Sequence, residues 1–136
     1  MGKFINLKIL TPDKEFYNEQ IVQLNTESIE GKIGILPQHI PLIAVLKPNI
    51  SKITTAKGEK KMFFSSTGVL KVTKNEVIML CDACEWPENI DIERAKQSKE
   101  RAEKRLKEKN HINNIDVDRA KLSLLRALMR IKTKEI

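Results

Sequence analysis

Glycine, proline and aromatic residues stop together near residue 87 of this 136-residue chain. The last glycine is Gly68, the last aromatic is Trp86 and the last proline is Pro87. Every arginine, from Arg94 to Arg130, lies beyond them. Glycine and proline let a chain turn sharply and break helices. The segment 1–87 can therefore fold back on itself many times, whereas 88–136 has nothing inside it to interrupt a helix. Charge divides at the same place. The first segment holds 11 basic and 9 acidic residues, the second 14 and 9, so most of the overall +7 sits in the second.

The first segment reads as β. Ile5, Leu7 and Ile9 alternate with Asn6 and Lys8, the period-two pattern of a half-buried strand. Further strand-like runs lie at 21–26, 42–46, 50–55, 61–65, 69–73 and 77–80. Turn signals separate them: Thr11-Pro12-Asp13, Gly31, Lys57-Gly58, Gly68 and Lys74-Asn75. Many short strands at this spacing predict an antiparallel β-sandwich or barrel.

The second segment reads as two helices, roughly 91–109 and 116–132, joined by a polar connector at 110–114. So short a connector predicts an antiparallel hairpin. The run Ile90-Asp91-Ile92-Glu93-Arg94-Ala95-Lys96 is echoed by Ile115-Asp116-Val117-Asp118-Arg119-Ala120-Lys121. Both carry helix-start grammar, with Asp as N-cap and a second acid in the first turn. The expected apolar stripe is Ala95, Ser98, Ala102 and Leu106 in the first helix. In the second it is Val117, Ala120, Leu124, Leu128 and Ile131. The first stripe is poor. A buried Leu is worth roughly 1.5–3 kcal/mol and an Ala much less. Such a pair is weakly glued and could open for a few kcal/mol.

Several function classes fall away. The longest clearly apolar run, Leu42–Leu46, is far short of the ~20 residues of a membrane helix. Lys3 and Asn6 interrupt any export signal, so a reducing compartment is expected. Neither GxxxxGK[ST] nor GxGxxG occurs, His39 and His111 lack metal-ligand spacing, and no nucleophile–base pair can be assembled. Cys81-Asp82-Ala83-Cys84 has the spacing of a redox or zinc CxxC, but has no second ligand pair and follows a β-run. It reads more simply as two structural thiols. Arg94 and Arg101 share one face of the first helix, and Arg126 and Arg130 share one face of the second. Two readings of these arginines stay open: a solvated basic face, or guanidinium groups converging on one polyphosphate.

Three stretches carry a resemblance. The first is Gly31-Lys32-Ile33-Gly34-Ile35-Leu36-Pro37-Gln38-His39-Ile40-Pro41-Leu42. The second is Gly68-Val69-Leu70-Lys71-Val72 with Leu80-Cys81-Asp82-Ala83-Cys84-Glu85, and the third is Ile90-Asp91-Ile92-Glu93-Arg94-Ala95. In this order, and over essentially the whole length, the chain resembles the epsilon subunit of bacterial F-type ATP synthases. The resemblance implies an α+β fold, with a ten-stranded β-sandwich followed by a C-terminal antiparallel helix hairpin. It implies a non-catalytic regulatory subunit of the central stalk, coupling the catalytic head to the ion-translocating ring. The sandwich would bind the gamma subunit and the membrane rotor ring. Gly31, Lys32, Gly34, Leu36, Pro37, His39 and Pro41 would lie in the subunit-contact loop. The helices, when extended, would reach the alpha/beta head and hinder ATP hydrolysis. ATP, with or without Mg, would favour the folded hairpin as a regulatory ligand. Carried over by motif, Glu85, Ile90, Asp91 and Ala95 would lie at the nucleotide, with Arg94, Arg101, Arg126 and Arg130 on its phosphates. The implied location is peripheral, on the cytoplasmic face of a bacterial cell membrane. Two alternatives from other classes are a basic nucleic-acid-binding module, disfavoured by the few aromatics, and a small CxxC thiol protein.

Overall fold

A computed structural model of the chain describes residues 3–108 and 114–136. It contains two compact units, Met1–Trp86 and Pro87–Ile136.

The first unit is a β-sandwich. Its strands are β1 (Ile5–Leu10), β2 (Glu15–Ser28), β3 (Gly31–Ile35), β4 (Leu42–Leu46), β5 (Asn49–Thr55), β6 (Lys60–Ser65), β7 (Gly68–Val72), β8 (Glu76–Cys81) and β9 (Cys84–Glu85). Their hydrogen-bonded order is β1-β8-β7-β4-β2-β5-β6-β9, with β3 on β2 and a further pairing of β1 with β2. All pairs are antiparallel except β1–β8, which is parallel. That exception corrects the all-antiparallel expectation. β1 and β8 are far apart in the chain, so the long connection that a parallel pair needs is available.

The resemblance implies ten strands, and nine form among the described residues. The reason lies in β2. Its first half pairs with β1, and its second half pairs with β3 and β5. A register shift between Ile21 and Gln23 marks the change of partners. A bulge of that kind bends a strand and raises its twist, so one long strand serves two sets of neighbours. β3 and β9 are absent from the sequence expectation. Gly31 and Gly34 lower the strand propensity of β3, and its ladder to β2 outweighs that.

Alternation holds where it is strongest. Ile5, Leu7 and Ile9 of β1 point into the core, beside fully buried Ile21, Leu24, Ile35, Ile53, Phe63 and Leu70. A polar seam crosses β2, β5 and β6. Thr26 Oγ1 lies 2.9 Å from Ser51 Oγ, and Ser51 Oγ lies 2.7 Å from Ser65 Oγ. These hydroxyls satisfy one another, as buried polar groups must. Gly68 opens β7 where it meets β8. A Cβ there would collide with the Leu80 carbonyl, so only glycine fits. Trp86 ends the unit, stacked on Phe16 at 4.5 Å and edge-on to Phe63 at 5.7 Å.

The second unit opens with a 3₁₀ turn, Pro87–Asn89, followed by α1 (Ile92–Lys107) and α2 (Asn114–Lys134). Asp91 caps α1 as expected, its carboxylate accepting from Arg94 N at 3.1 Å. α2 starts two residues before the expected 116, so Asp116 lies inside the helix rather than at its cap. Residues 110–113 of the expected connector, and the last residue of the expected first helix, lie outside the described residues. The end of α2 returns to the start of the unit, where Lys134 Nζ donates to Glu88 O at 3.5 Å. The helices therefore form an antiparallel hairpin.

Its buried line differs from the expected stripes. Ala95 and Ala102 of α1 and Ala120 and Ala127 of α2 are almost wholly covered. Ser98, Leu106, Leu124, Leu128 and Ile131 are only half-buried. Interhelical distance follows side-chain size, so alanines at seven-residue spacing in both helices let the backbones close up at that line. The leucines flank it. Among the described residues, no helix is long and apolar enough to cross a membrane.

Candidate functional site

In the helical unit, α1 and α2 enclose a groove of about 210 Å³, lined by Ser98, Arg101, Ala102, Arg105, Ala120 and Ser123. Ala102 and Ala120 supply small surfaces, which leave the volume open. Arg101 Nη2 donates to Ser98 Oγ at 3.3 Å across one turn of α1. Of the eight residues expected at a nucleotide, Arg101 alone lines this groove.

The others are placed as follows. Arg94 is exposed in the first turn of α1. Asp91 is occupied as the helix cap, while Ile90 and Ala95 are buried. Arg126 and Arg130 are half-buried on α2. Glu85 belongs to the sheet unit, in β9 opposite Phe64. Arg105, Ser98 and Ser123 line the groove and are not among the residues expected at a nucleotide. Their signal was present for α1: Ser98, Arg101, Ala102 and Arg105 follow the i, i+3, i+4, i+7 spacing of one helix face. The partner position, Ser123, needed the hairpin register.

The sheet unit presents a separate loop. Gly31, Lys32 and Gly34 are in β3, so the expected contact loop is a strand for its first five residues. The turn beyond it is Leu36-Pro37-Gln38-His39, closed by His39 N donating to Leu36 O at 3.1 Å. Gln38 takes φ 67°, the left-handed value of position i+2 in a type II turn, with Pro37 at i+1. His39 Nδ1 donates to Ile40 O at 2.7 Å, which leaves Nε2 for a partner. A groove of about 830 Å³ runs beside this turn. Gln38, His39, Ile40 and Pro41 line it together with Phe4, Ile5, Lys74 and Asn75. Phe4 and the 74–75 turn reach it only through the fold.

One face of the sandwich is apolar and uncovered. Val45 of β4 lies opposite Val69 of β7, which lies opposite Leu80 of β8. These three and Ile43 are 47%, 40%, 51% and 73% exposed, and Ile29 beside Val45 is 66% exposed. Directly opposed residues share a face, so they form a continuous stripe. The run Leu42–Leu46 is apolar because both faces of β4 are used: Leu46 is buried in the core while Ile43 and Val45 point away from it.

Cys81 and Cys84 are both buried and carry free thiols. A hydrogen bond with Cys81 and burial hold the Cys84 thiol far above the ordinary thiol range, with the Glu85 carboxylate adding to the effect. A thiol so protonated is a poor nucleophile and a poor ligand. Among the described residues, no group of three His, Cys, Asp or Glu side chains is placed to hold a metal.

Comparison with known proteins follows the division into two units. Residues 4–87 match the family described as ATP synthase, Delta/Epsilon chain, beta-sandwich domain. Residues 88–135 match the long alpha-helix domain of the same chain. The ATP synthase epsilon chain of Clostridium novyi is 50% identical over 113 residues, covering 83% of this chain and 86% of that one. That of Clostridium acetobutylicum is 53% identical over 111 residues, covering 82% and 84%. Two solved structures share the fold. One is the Euglena gracilis mitochondrial ATP synthase, OSCP/F1/c-ring, with TM-score 0.78 and 20% identity, covering 93% of this chain and 78% of that one. The other is the central stalk and c-ring of the Tetrahymena thermophila mitochondrial ATP synthase, with TM-score 0.67 and 18% identity, covering 96% of each.

Proposed function

This chain belongs to the ATP synthase delta/epsilon-chain family, as an epsilon chain, and we propose that it is a non-catalytic, regulatory rotor subunit of the central stalk. Its sandwich docks on the gamma subunit and rests on the membrane ring, so that rotation of the ring and events in the catalytic head stay coupled. On this reading it is a peripheral subunit at the cytoplasmic face of a bacterial membrane. The observation that carries this reading is the uncovered apolar stripe of Ile43, Val45, Val69 and Leu80. An exposed apolar patch on a rigid sheet is what a permanent protein partner covers. The groove beside His39 offers a second, more polar surface, suited to the ring.

The hairpin supplies the regulation. Extended, the helices reach into the alpha/beta head and hinder ATP hydrolysis; folded, they do not. ATP, with or without Mg, shifts that equilibrium only if it binds the folded hairpin more tightly than the extended one. The basic residues of α1 and α2 and the alanine seam support this. The first would hold an anion and the second lets the pair separate at modest cost.

The test is co-purification with a gamma subunit. Val45→Asp combined with Val69→Asp places two carboxylates on the stripe while leaving the core-facing side untouched. The double variant is expected to lose gamma binding, because a charge buried unpaired in an interface costs several kcal/mol. Retained binding by a folded double variant would remove the stripe as the docking face.

A further inference from the structure

We infer that the protein surface docking on the uncovered face of the sandwich carries a carboxylate opposite Lys71, and that this lysine selects the partner by charge. The inference names the partner's chemistry at the apolar stripe and rests on the docking reading above.

Register divides this face into rows. Ile43 of β4 lies opposite Lys71 of β7, Lys71 lies opposite Ile78 of β8, and Ile78 pairs with Lys8 of β1. Each of the first three is two residues along its strand from Val45, Val69 or Leu80, so both rows point outward on the same side. The row of Val45, Val69 and Leu80 is apolar. The row beside it alternates isoleucine and lysine. Lys71 is exposed and Lys8 is half-buried. Among the described residues, neither makes an ion pair.

The two lysines differ in their surroundings. Lys8 is at the rim, with Glu15 and Glu76 both on diagonals from it. Lys71 stands inside the apolar field, with Ile43 and Ile78 directly beside it and Val45 and Leu80 on diagonals. Its one acidic neighbour on the face is Glu76, also diagonal, at a backbone separation of roughly 7–8 Å, and Lys8 competes for that carboxylate. No protein surface can cover both isoleucines and the stripe without covering the methylene stem of Lys71 as well. An ammonium shut into an interface without a counter-charge is the costly case, and lysine is depleted from interface cores. A partner with an acid at this point meets the charge, whereas a purely apolar one leaves it unpaired. Lys71 therefore admits one kind of surface and rejects the rest, a second copy of this chain included, because the apolar stripe alone would accept any of them.

The test is the kinetics of binding between the full chain and the gamma subunit of the same ATP synthase. Lys71→Met keeps the length and apolar cover of the side chain and removes its charge. It is expected to bind about tenfold or more weakly, chiefly through faster dissociation, because the partner's carboxylate is left unpaired. Lys71→Arg should stay within about threefold of the parent, and Lys8→Gln, at the rim, should change affinity less than Lys71→Met does. The Val45→Asp, Val69→Asp double variant runs beside them. Loss of binding in that double variant, with Lys71→Met binding as tightly as the parent, would keep the docking face and overturn the carboxylate. Recovery of binding when Glu76→Gln is added to Lys71→Met would assign the counter-charge to Glu76 and overturn the inference too. Normal binding by a folded double aspartate variant would overturn the face and the inference together. A homodimer of the free chain that the double variant abolishes, with no gamma binding, would identify a second copy as the occupant and would also overturn it.

Discussion

The sheet unit buries Phe63, Leu7, Ile9, Leu24 and Met79 completely, whereas the helical unit, among the described residues, buries Ile90, Thr133 and a line of alanines. The difference is one of leverage. A fully buried large aliphatic or aromatic side chain contributes roughly 1.5–3 kcal/mol, and an alanine methyl only about 0.8 kcal/mol. The sandwich also closes its ladders through β2 and ties β2, β5 and β6 with buried hydroxyls. The hairpin has one seam. The first construction resists deformation. The second brings the backbones close with little apolar area at stake, so it separates at lower cost.

The largest test of this contrast is Phe63→Ala. A large-to-small change in a fully buried aromatic is expected to cost about 3–5 kcal/mol. Trp86, the only tryptophan, packs against Phe63 and reports the sheet unit's unfolding by fluorescence in denaturant. A loss below about 1 kcal/mol would mean that the sandwich core relaxes as readily as the seam.

Ala102→Leu comes next. Overpacking a tight seam costs typically about 1–3 kcal/mol. Helical ellipticity should melt earlier while the Trp86 transition stays where it was. A shared shift in both signals would show that the two units unfold as one, and the contrast between them would fail.

The smallest effect is alkaline and belongs to the sheet unit. Burial, aided by the Glu19 carboxylate, pushes the Tyr17 hydroxyl up to about 12 from its ordinary value of 10. The folded state thus holds the phenolic proton more tightly than the unfolded state. Its contribution is complete below about pH 10 and is lost as pH rises through about 12. Cys84, also raised, acts in the same direction. Tyr17→Phe should flatten the alkaline fall in sheet-unit stability without abolishing it. An unchanged slope in that variant would show that Tyr17 ionises equally well in both states.

Much of this was legible in the residues. Ile5, Leu7 and Ile9 announced β1 by alternation, and Asp91 announced the start of α1 by its capping chemistry. The sandwich-and-hairpin class and the family followed from ordered motifs. Less legible were β3 and the first half of β2. Their strand character comes from partners at Leu24–Ser28 and in β1 rather than from their own propensity. At the groove, Arg101 was read for its spacing from Arg94, a surface pattern. Arg105 shares that face of α1 by its spacing, whereas Ser123 is not legible because nothing local links α1 to α2.

The sequence alone determined the two-part division, the type of most elements and the helix start at Asp91. Each of these depends on interactions within a few residues: turn chemistry, capping, and the period of apolar side chains. The tertiary structure alone decided which apolar residues stay uncovered and which polar ones converge. Val45, Val69 and Leu80 form a stripe only because β4, β7 and β8 are neighbours in that register. Ser98 and Ser123 face one groove only because alanines bring α1 and α2 together. Exposure and convergence are properties of pairs distant in the chain, and no single stretch of residues encodes them.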